Sequence, residues 1–323
     1  EGAQSGIVKV EKDLRMYGRV TRPLVQFLMY STSPMLPELT ANEENCQKFL
    51  RGNGIEARDF GSQSGLGAKA SGGNGGSSLN GAQRWRTYVD LSAEEKSRLS
   101  TALILHLDRF GVPEWKISEL FGEVYSFPQE DMHSPCSEAK EYSTLINACG
   151  RHAEADIAIE VCMGDRGGKY AQALSLMAEH RRQLREGIEF VLKSGLKEEK
   201  SFYYFDAQEK IGESIVGIVA GMLYGSNLIV TNKPIIAIAS NADGGLKISG
   251  RATKDLVHAG VNLGMAFREV CAEIGNGAQG GGHAVAAGLK LEKENLGVFL
   301  QKLGLKIAQQ TGATATHEIT PKH

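Results

Sequence analysis

The spacing of apolar positions predicts helices through most of the first half of the chain and interleaved strands and helices in the second. Ser92 and Glu95 stand at capping-box spacing and predict a helix running to about Arg109. Ala139, Tyr142, Leu145, Ile146 and Cys149 fall on one helical face, and Gly150 is expected to end that helix. Ile157–Cys162 alternates and is expected to be a strand. From Gly168 to Lys193, the residues Leu174, Met177, Ala178, Ile188 and Val191 make the apolar side of one helix. At 1.5 Å per residue it is roughly 40 Å long, enough to bridge two domains. Ser194-Gly195 closes it.

Beyond this helix the period changes. Phe202–Phe205, Asn227–Thr231, Ile235–Ala239, Leu246–Gly250 and Ala286–Leu291 read as strands, and Glu213–Leu223 and Asn295–Gln309 as helices. Asp243-Gly244 between two strand patterns predicts a hairpin. Leu256, Gly260, Leu263, Phe267, Val270 and Ile274 form a single amphipathic helix stripe, followed by a glycine-rich loop. Residues 61–82 hold eight glycines among Ser, Ala and Asn and read as a flexible insertion. Prolines at 34, 37, 113, 128 and 135 punctuate the first 140 residues, and the stretch after Thr311 is polar and expected to fray.

The chain has 323 residues, 41% hydrophobic and 23% charged, which suits two domains with proper cores. No apolar run approaches the roughly eighteen residues a membrane helix needs. It begins Glu1-Gly2-Ala3 with no initiator Met and no signal-peptide pattern, as expected of a fragment or a processed chain. A net charge of −2 excludes a strongly basic nucleic-acid coat but allows a local basic groove. The five cysteines form no C-x-x-C pair, which speaks against a zinc ribbon and fits a reducing cytoplasm.

Three motif matches fail on context. Gly275–Gly280 has G-x-G-x-x-G spacing but follows a predicted helix and leads into a strand, the reverse of a dinucleotide fold. Gly164–Lys169 lacks the spacing of a phosphate loop and has Tyr170 where Ser or Thr is needed. Cys149 has no arrangement around it that supports a nucleophile, and the scattered histidines at 106, 133, 152, 180 and 258 read as packing or surface residues. One run survives: Gly280-Gly281-Gly282-His283, then Ala284-Val285-Ala286-Ala287-Gly288. Three successive glycines weaken any regular element, and their physical use is close backbone approach to a ligand, with N–H groups able to form an anion-binding nest. His283 adds a donor for a phosphate oxygen or sugar hydroxyl. The bland alternative is a flexible loop capped by a histidine. Ser249-Gly250-Arg251 closes the hairpin and puts a guanidinium at a strand end, free to fork onto a phosphate or engaged in a surface salt bridge.

Hairpin, S-G-R, helix and G-G-G-H-x-x-A-A-G, in that order, resemble the DHH-associated domain of the DHH phosphoesterase superfamily. Leu145–Arg151, with Asn147, Gly150 and Arg151, resembles the N-A-x-G-R segment of RecJ-like single-strand exonucleases. Arg22-Pro23-Leu24 with Tyr30-Ser31-Thr32 resembles their archaeal-type branch. The resemblance implies an α/β chain: the remainder of a catalytic lobe and following region at 1–164, a long bridging helix at 165–199, a small mixed-sheet DHH-associated domain at 200–312, and a tail at 313–323. It implies a strand-binding role for Ser249, Arg251, Gly280, Gly281, Gly282, His283, Asn147 and Arg151. It also implies manganese or magnesium held by Asp and His in an N-terminal lobe, activating water for phosphodiester hydrolysis. The sequence contains no His-His pair and no D-x-D, so the ligands of those ions are expected to be absent and the catalytic residues unassigned. Three functions follow: the substrate-binding portion of a metal-dependent exonuclease on single-stranded DNA or RNA, a non-catalytic nucleic-acid-binding or replication subunit with a GINS-type partner, or a phosphodiesterase for short oligonucleotides.

Overall fold

The computed structural model describes residues 2, 5–31, 35–59, 84–224, 232–275 and 278–312. The insertion expected at 61–82, the strand expected at Asn227–Thr231, the tail after 312 and Thr32 lie outside the described residues. The chain divides into two compact units, Glu1–Ile146 and Asn147–His323.

In the first unit the elements are β1 (Lys9–Leu14), α1 (Leu24–Met29), α2 (Glu43–Gly52), the short pair β2 (Arg58–Asp59) and β3 (Arg84–Trp85), α3 (Ala93–Arg109), α4 (Glu114–Ser118), β4 (Phe121–Ser126) and the start of α5 (Ala139–Arg151). β1 and β4 pair antiparallel, Lys9 opposite Ser126 and Leu14 opposite Phe121. The expected capping box holds α3: the Ser92 hydroxyl accepts from the Glu95 N–H, and Glu95 accepts from the Ser92 N–H at 2.9 Å. Leu24, Phe27 and Leu28 of α1 meet Leu99, Leu103 and Leu107 of α3 in one core with Tyr88. Several polar groups in and around it are paired, while Arg19 Nε and Glu138 Oε2 are buried without a partner among the described residues. Asp13 binds both Arg19 and the Tyr88 hydroxyl, and Glu141 accepts from the Val20 N–H at 2.8 Å and from the Thr21 hydroxyl. The Arg22 guanidinium lies over the rings of Tyr17 (4.6 Å) and Tyr30 (5.4 Å), which joins residues of the archaeal-type segments.

The second unit holds the end of α5, then α6 (Ala155–Cys162), α7 (Gly168–Ser194), β5 (Lys197–Glu198), β6 (Tyr203–Asp206), α8 (Val216–Leu223), β7 (Ile235–Ser240), β8 (Leu246–Arg251), α9 (Lys254–His258), α10 (Leu263–Ile274), β9 (Gly280–His283), β10 (Ala286–Leu291) and α11 (Leu296–Gln310). Its sheet runs β5-β6-β7-β8-β10-β9, with only β6 and β7 parallel. The sheet separates two apolar layers. Ile236, Ile238, Ile248, Ala287 and Leu289 face Phe267, Val270, Phe299 and Leu303 of α10 and α11. Ile235, Ala237 and Ala239 face Val216, Val219 and Leu223 of α8 and Val191 of α7. β7 is buried on both faces, which is why it reads as an uninterrupted apolar run.

Four expectations are corrected here. Residues 155–162 are a helix, not a strand: Ile157, Ala158 and Val161 are buried and Ile159 is exposed, a helical period that a short apolar run cannot distinguish from alternation. α5 passes through Gly150 to Arg151. The stripe from Leu256 to Ile274 is two helices, because Gly260 turns the chain at φ +105° and Asn262 caps α10 by accepting from the Met265 N–H. The glycine run is an edge strand, not a loop.

Candidate nucleic-acid interface

β9 pairs antiparallel with β10, which pairs antiparallel with β8. The shared register sets His283, Ala286 and Arg251 in one row across three strands, and Gly281, Gly288 and Ser249 in the next row of the same parity. The glycines of β9 serve packing. α10 lies so close that a Cβ on its Gly264 would stand 2.3 Å from the Gly282 carbonyl oxygen. Gly282 itself has φ +147°, and a Cβ there would meet the Ala286 carbonyl oxygen at 2.3 Å. An extended edge strand turns alternate N–H groups to opposite sides, so the concave nest expected of a loop gives way to a flat row. His283 is exposed at the end of that row, with no hydrogen bond or ion pair among the described residues.

Arg251 is half-buried and held in place by its surroundings. Its guanidinium donates to the Gly250 carbonyl at 2.7 Å, and its own carbonyl accepts from the Tyr224 hydroxyl at 2.8 Å. The side chain runs along α8 across Gly221 and Gly217. A Cβ on Gly221 would touch its Cδ at 3.9 Å, and one on Gly217 would stand 2.5 Å from Nη2. The two glycines, one helical turn apart, open a groove that only a residue without a side chain leaves clear.

Arg151 comes to the same place from α5. It is exposed and donates to the Ser214 carbonyl at 3.0 Å, just before α8. Asn147 lies one turn earlier on the same face and is exposed. Burial and the neighbouring Arg151 charge both push the Arg251 guanidinium below its ordinary value. It stays protonated, since an arginine does not lose its proton in a protein. Among the described residues neither arginine pairs with a carboxylate. Arg251 is held by the Gly250 carbonyl and Arg151 by the Ser214 carbonyl, with the Arg151 charge near enough to be felt at Arg251. Of the residues expected from sequence, Arg251 and Ser249 lie together against Gly217 of α8, Arg151 is held on the Ser214 carbonyl ahead of that helix, and His283 lies two strands away in the same row as Arg251. Gly217, Gly221, Ser214 and Tyr224 were missed, although the Gly-x-x-x-Gly spacing in an apolar helix was a readable sign of close approach.

The metal is a different matter. No group of three or more His, Cys, Asp or Glu side chains able to share an ion occurs among the described residues. His106 hydrogen-bonds the Pro37 carbonyl at 2.7 Å, and His133 the Asp90 carboxylate at 2.8 Å. His152 and His180 pack edge to face at 6.1 Å. The donors described do not fit the ions that the resemblance implies, and no step is derived through them.

Residues 199–309 match the DHHA1 domain family and residues 16–63 the DHH-CID domain family. An uncharacterised protein of Methanocaldococcus jannaschii is 26% identical over 310 residues, covering 96% of this chain and 58% of the relative. The chain thus spans little more than half the length of that relative. Among solved structures, RecJ of Thermus thermophilus in complex with magnesium superposes with a TM-score of 0.42 at 20% identity, over 53% of this chain and 25% of RecJ. Cdc45 of Entamoeba histolytica superposes at 0.48 and 13% identity, over 94% of this chain and 58% of Cdc45. A DHH-CID domain match is thus followed along the chain by a DHHA1 domain match.

Proposed function

We propose that the second unit holds the sugar–phosphate backbone of single-stranded DNA or RNA, as the substrate-binding portion of a RecJ-like phosphodiester hydrolase working in the cytoplasm. The observation that carries this is Arg251, half-buried at the end of β8 along Gly217 and Gly221 of α8 with no ion pair to a carboxylate among the described residues, and Arg151 held beside the start of α8 on the Ser214 carbonyl. A guanidinium offers a planar fork that matches phosphate oxygens, and two of them can hold one phosphodiester from two sides. Ser249, Asn147 and His283 supply neutral or switchable donors for the flanking sugar and phosphates. The small residues Ala286, Gly288 and Gly281 let the strand lie close to the sheet. Small-oligonucleotide phosphodiesterases need the same phosphate grip, and strand length distinguishes them from an exonuclease. Divalent manganese or magnesium would come from residues other than those described.

A second reading is favoured by the donor chemistry. With no metal-ligand cluster among the described residues, the unit would serve as a non-catalytic binding module, with a replication assembly of the GINS kind as partner. Fluorescence anisotropy with a labelled oligonucleotide tests the shared core of both readings. Arg251→Ala should weaken binding for all base sequences and lower the slope of log affinity against log salt by about 0.7. An unchanged slope with a folded variant would remove Arg251 from the interface.

A further inference from the structure

Strand alternation puts Lys247, Ser249 and Arg251 of β8 on one face of the sheet. The residue opposite Lys247 on β10 is Lys290, yet Lys247 does not project straight out beside it. Its Nζ lies 3.6 Å, and its Cε 4.0 Å, from the point a Cβ would occupy on Gly288, which is the partner of Ser249. The side chain is therefore bent along the strand toward Arg251. Arg251 bends the other way: the Cβ position of Gly217 is 2.5 Å from its Nη2 and 3.1 Å from the Cβ of Ser249. Two cations four positions apart on β8 thus lean toward the same Ser249–Gly288 pair. Like charges do not approach through a half-buried surface without a reason. Lys290 has one, an ion pair with Asp243 at 2.9 Å, whereas Lys247 pairs with no carboxylate among the described residues.

We propose that Lys247 is a phosphate-binding residue, whose ammonium and the Arg251 guanidinium close on a single phosphodiester seated over Ser249 and Gly288. The proposal rests on the nucleic-acid reading above and deepens it. It sets the path of the strand along β8 from Arg251 toward Lys247, about 7 Å per pair of residues. Gly288 is the floor of the seat, and Ser249, buried beneath the two cations, offers its hydroxyl.

The test compares Lys247→Gln, Lys247→Arg and Lys290→Gln in the intact chain by salt-titrated anisotropy, with circular dichroism confirming the fold of each. Lys247→Gln should weaken oligonucleotide binding about tenfold and lower the salt slope by about 0.7, as for loss of one phosphate contact. Lys247→Arg should restore the slope, and Lys290→Gln should leave it unchanged. A wild-type slope in Lys247→Gln, beside a lowered slope in Arg251→Ala, would overturn this proposal and leave the nucleic-acid reading standing. If the wild-type chain binds no oligonucleotide, that reading fails, and calorimetry with inorganic pyrophosphate decides the seat alone. Binding by wild type and loss in Lys247→Gln would support it; equal binding, or none, would overturn it.

Discussion

Gly217→Ala is the sharpest perturbation of the arginine groove, because affinity and stability should move in opposite directions. The new Cβ would stand 2.5 Å from Nη2 of Arg251 and 3.1 Å from the Cβ of Ser249. Ordinary contact needs about 3.5 Å, so the guanidinium must withdraw by about 1 Å, which its flexible end can do. The buried Ser249 Cβ must also give by a few tenths of an ångström, which offsets part of the gain from removing a helical glycine. Alanine in place of glycine in α8 should still stabilise by up to about 1 kcal/mol, a few degrees in melting temperature for a unit of this size. The anion site loses its aimed donor. A charge-assisted hydrogen bond contributes about 1.5–3 kcal/mol, so oligonucleotide affinity should fall roughly tenfold to a hundredfold. Anisotropy and thermal melting on the same preparations measure both. Wild-type affinity would refute the groove's role in aiming Arg251. A large fall in stability would show instead that Gly217 serves the packing of α8 on the sheet.

Gly282→Ala should do the reverse of Gly217→Ala: with φ +147° and a backbone oxygen 2.3 Å from the new Cβ, it should destabilise by more than about 2 kcal/mol, read as a lowered melting temperature. Gly281→Val meets only the Arg268 side chain, at 3.2 Å, and should weaken binding while leaving the melting temperature nearly unchanged. In the first unit, burial and then the Glu141 charge push the Glu138 carboxyl up to about 7 from 4.5. The folded chain thus holds this proton more tightly than the unfolded one, and the resulting stability is full below pH 4.5 and lost as pH rises through 7. Glu138→Gln should therefore raise the melting temperature at pH 8, by up to about 3 kcal/mol of stability, and change little at pH 4. Millimolar manganese should not convert binding by this chain into shortening of an end-labelled oligonucleotide; shortening that EDTA abolishes would reveal a metal site outside the described residues.

The hairpin strands and the glycine-histidine run were legible because each leaves a local signature. Ile235–Ser240 is apolar at every position but the last, and Asp243-Gly244 allows little but a turn. Ser249-Gly250-Arg251 and Gly280–His283 are short enough to read without knowing how the strands pair. Residues 157–162 misled because a six-residue apolar run has too few positions to fix its period, and only burial of Ile157 and Val161 with exposure of Ile159 decides it. The glycines of β9 were read as ligand-facing for a related reason. Sequence shows that a side chain is missing, not which neighbour would have met it, and here that neighbour is largely α10 and β10. The partners of Arg251 were out of reach. Gly217 and Arg151 lie far from it along the chain, and only the folded sheet brings them together.

The central claim is that Arg151 and Arg251 act on one phosphate, and a double-mutant cycle tests it most directly. Oligonucleotide affinities of wild type, Arg151→Ala, Arg251→Ala and the double variant would be measured at a single low salt concentration. A shared phosphate predicts that the second substitution costs less than the first, with a coupling of at least about 0.5 kcal/mol. Strictly additive losses would contradict the account and assign the two arginines to separate contacts.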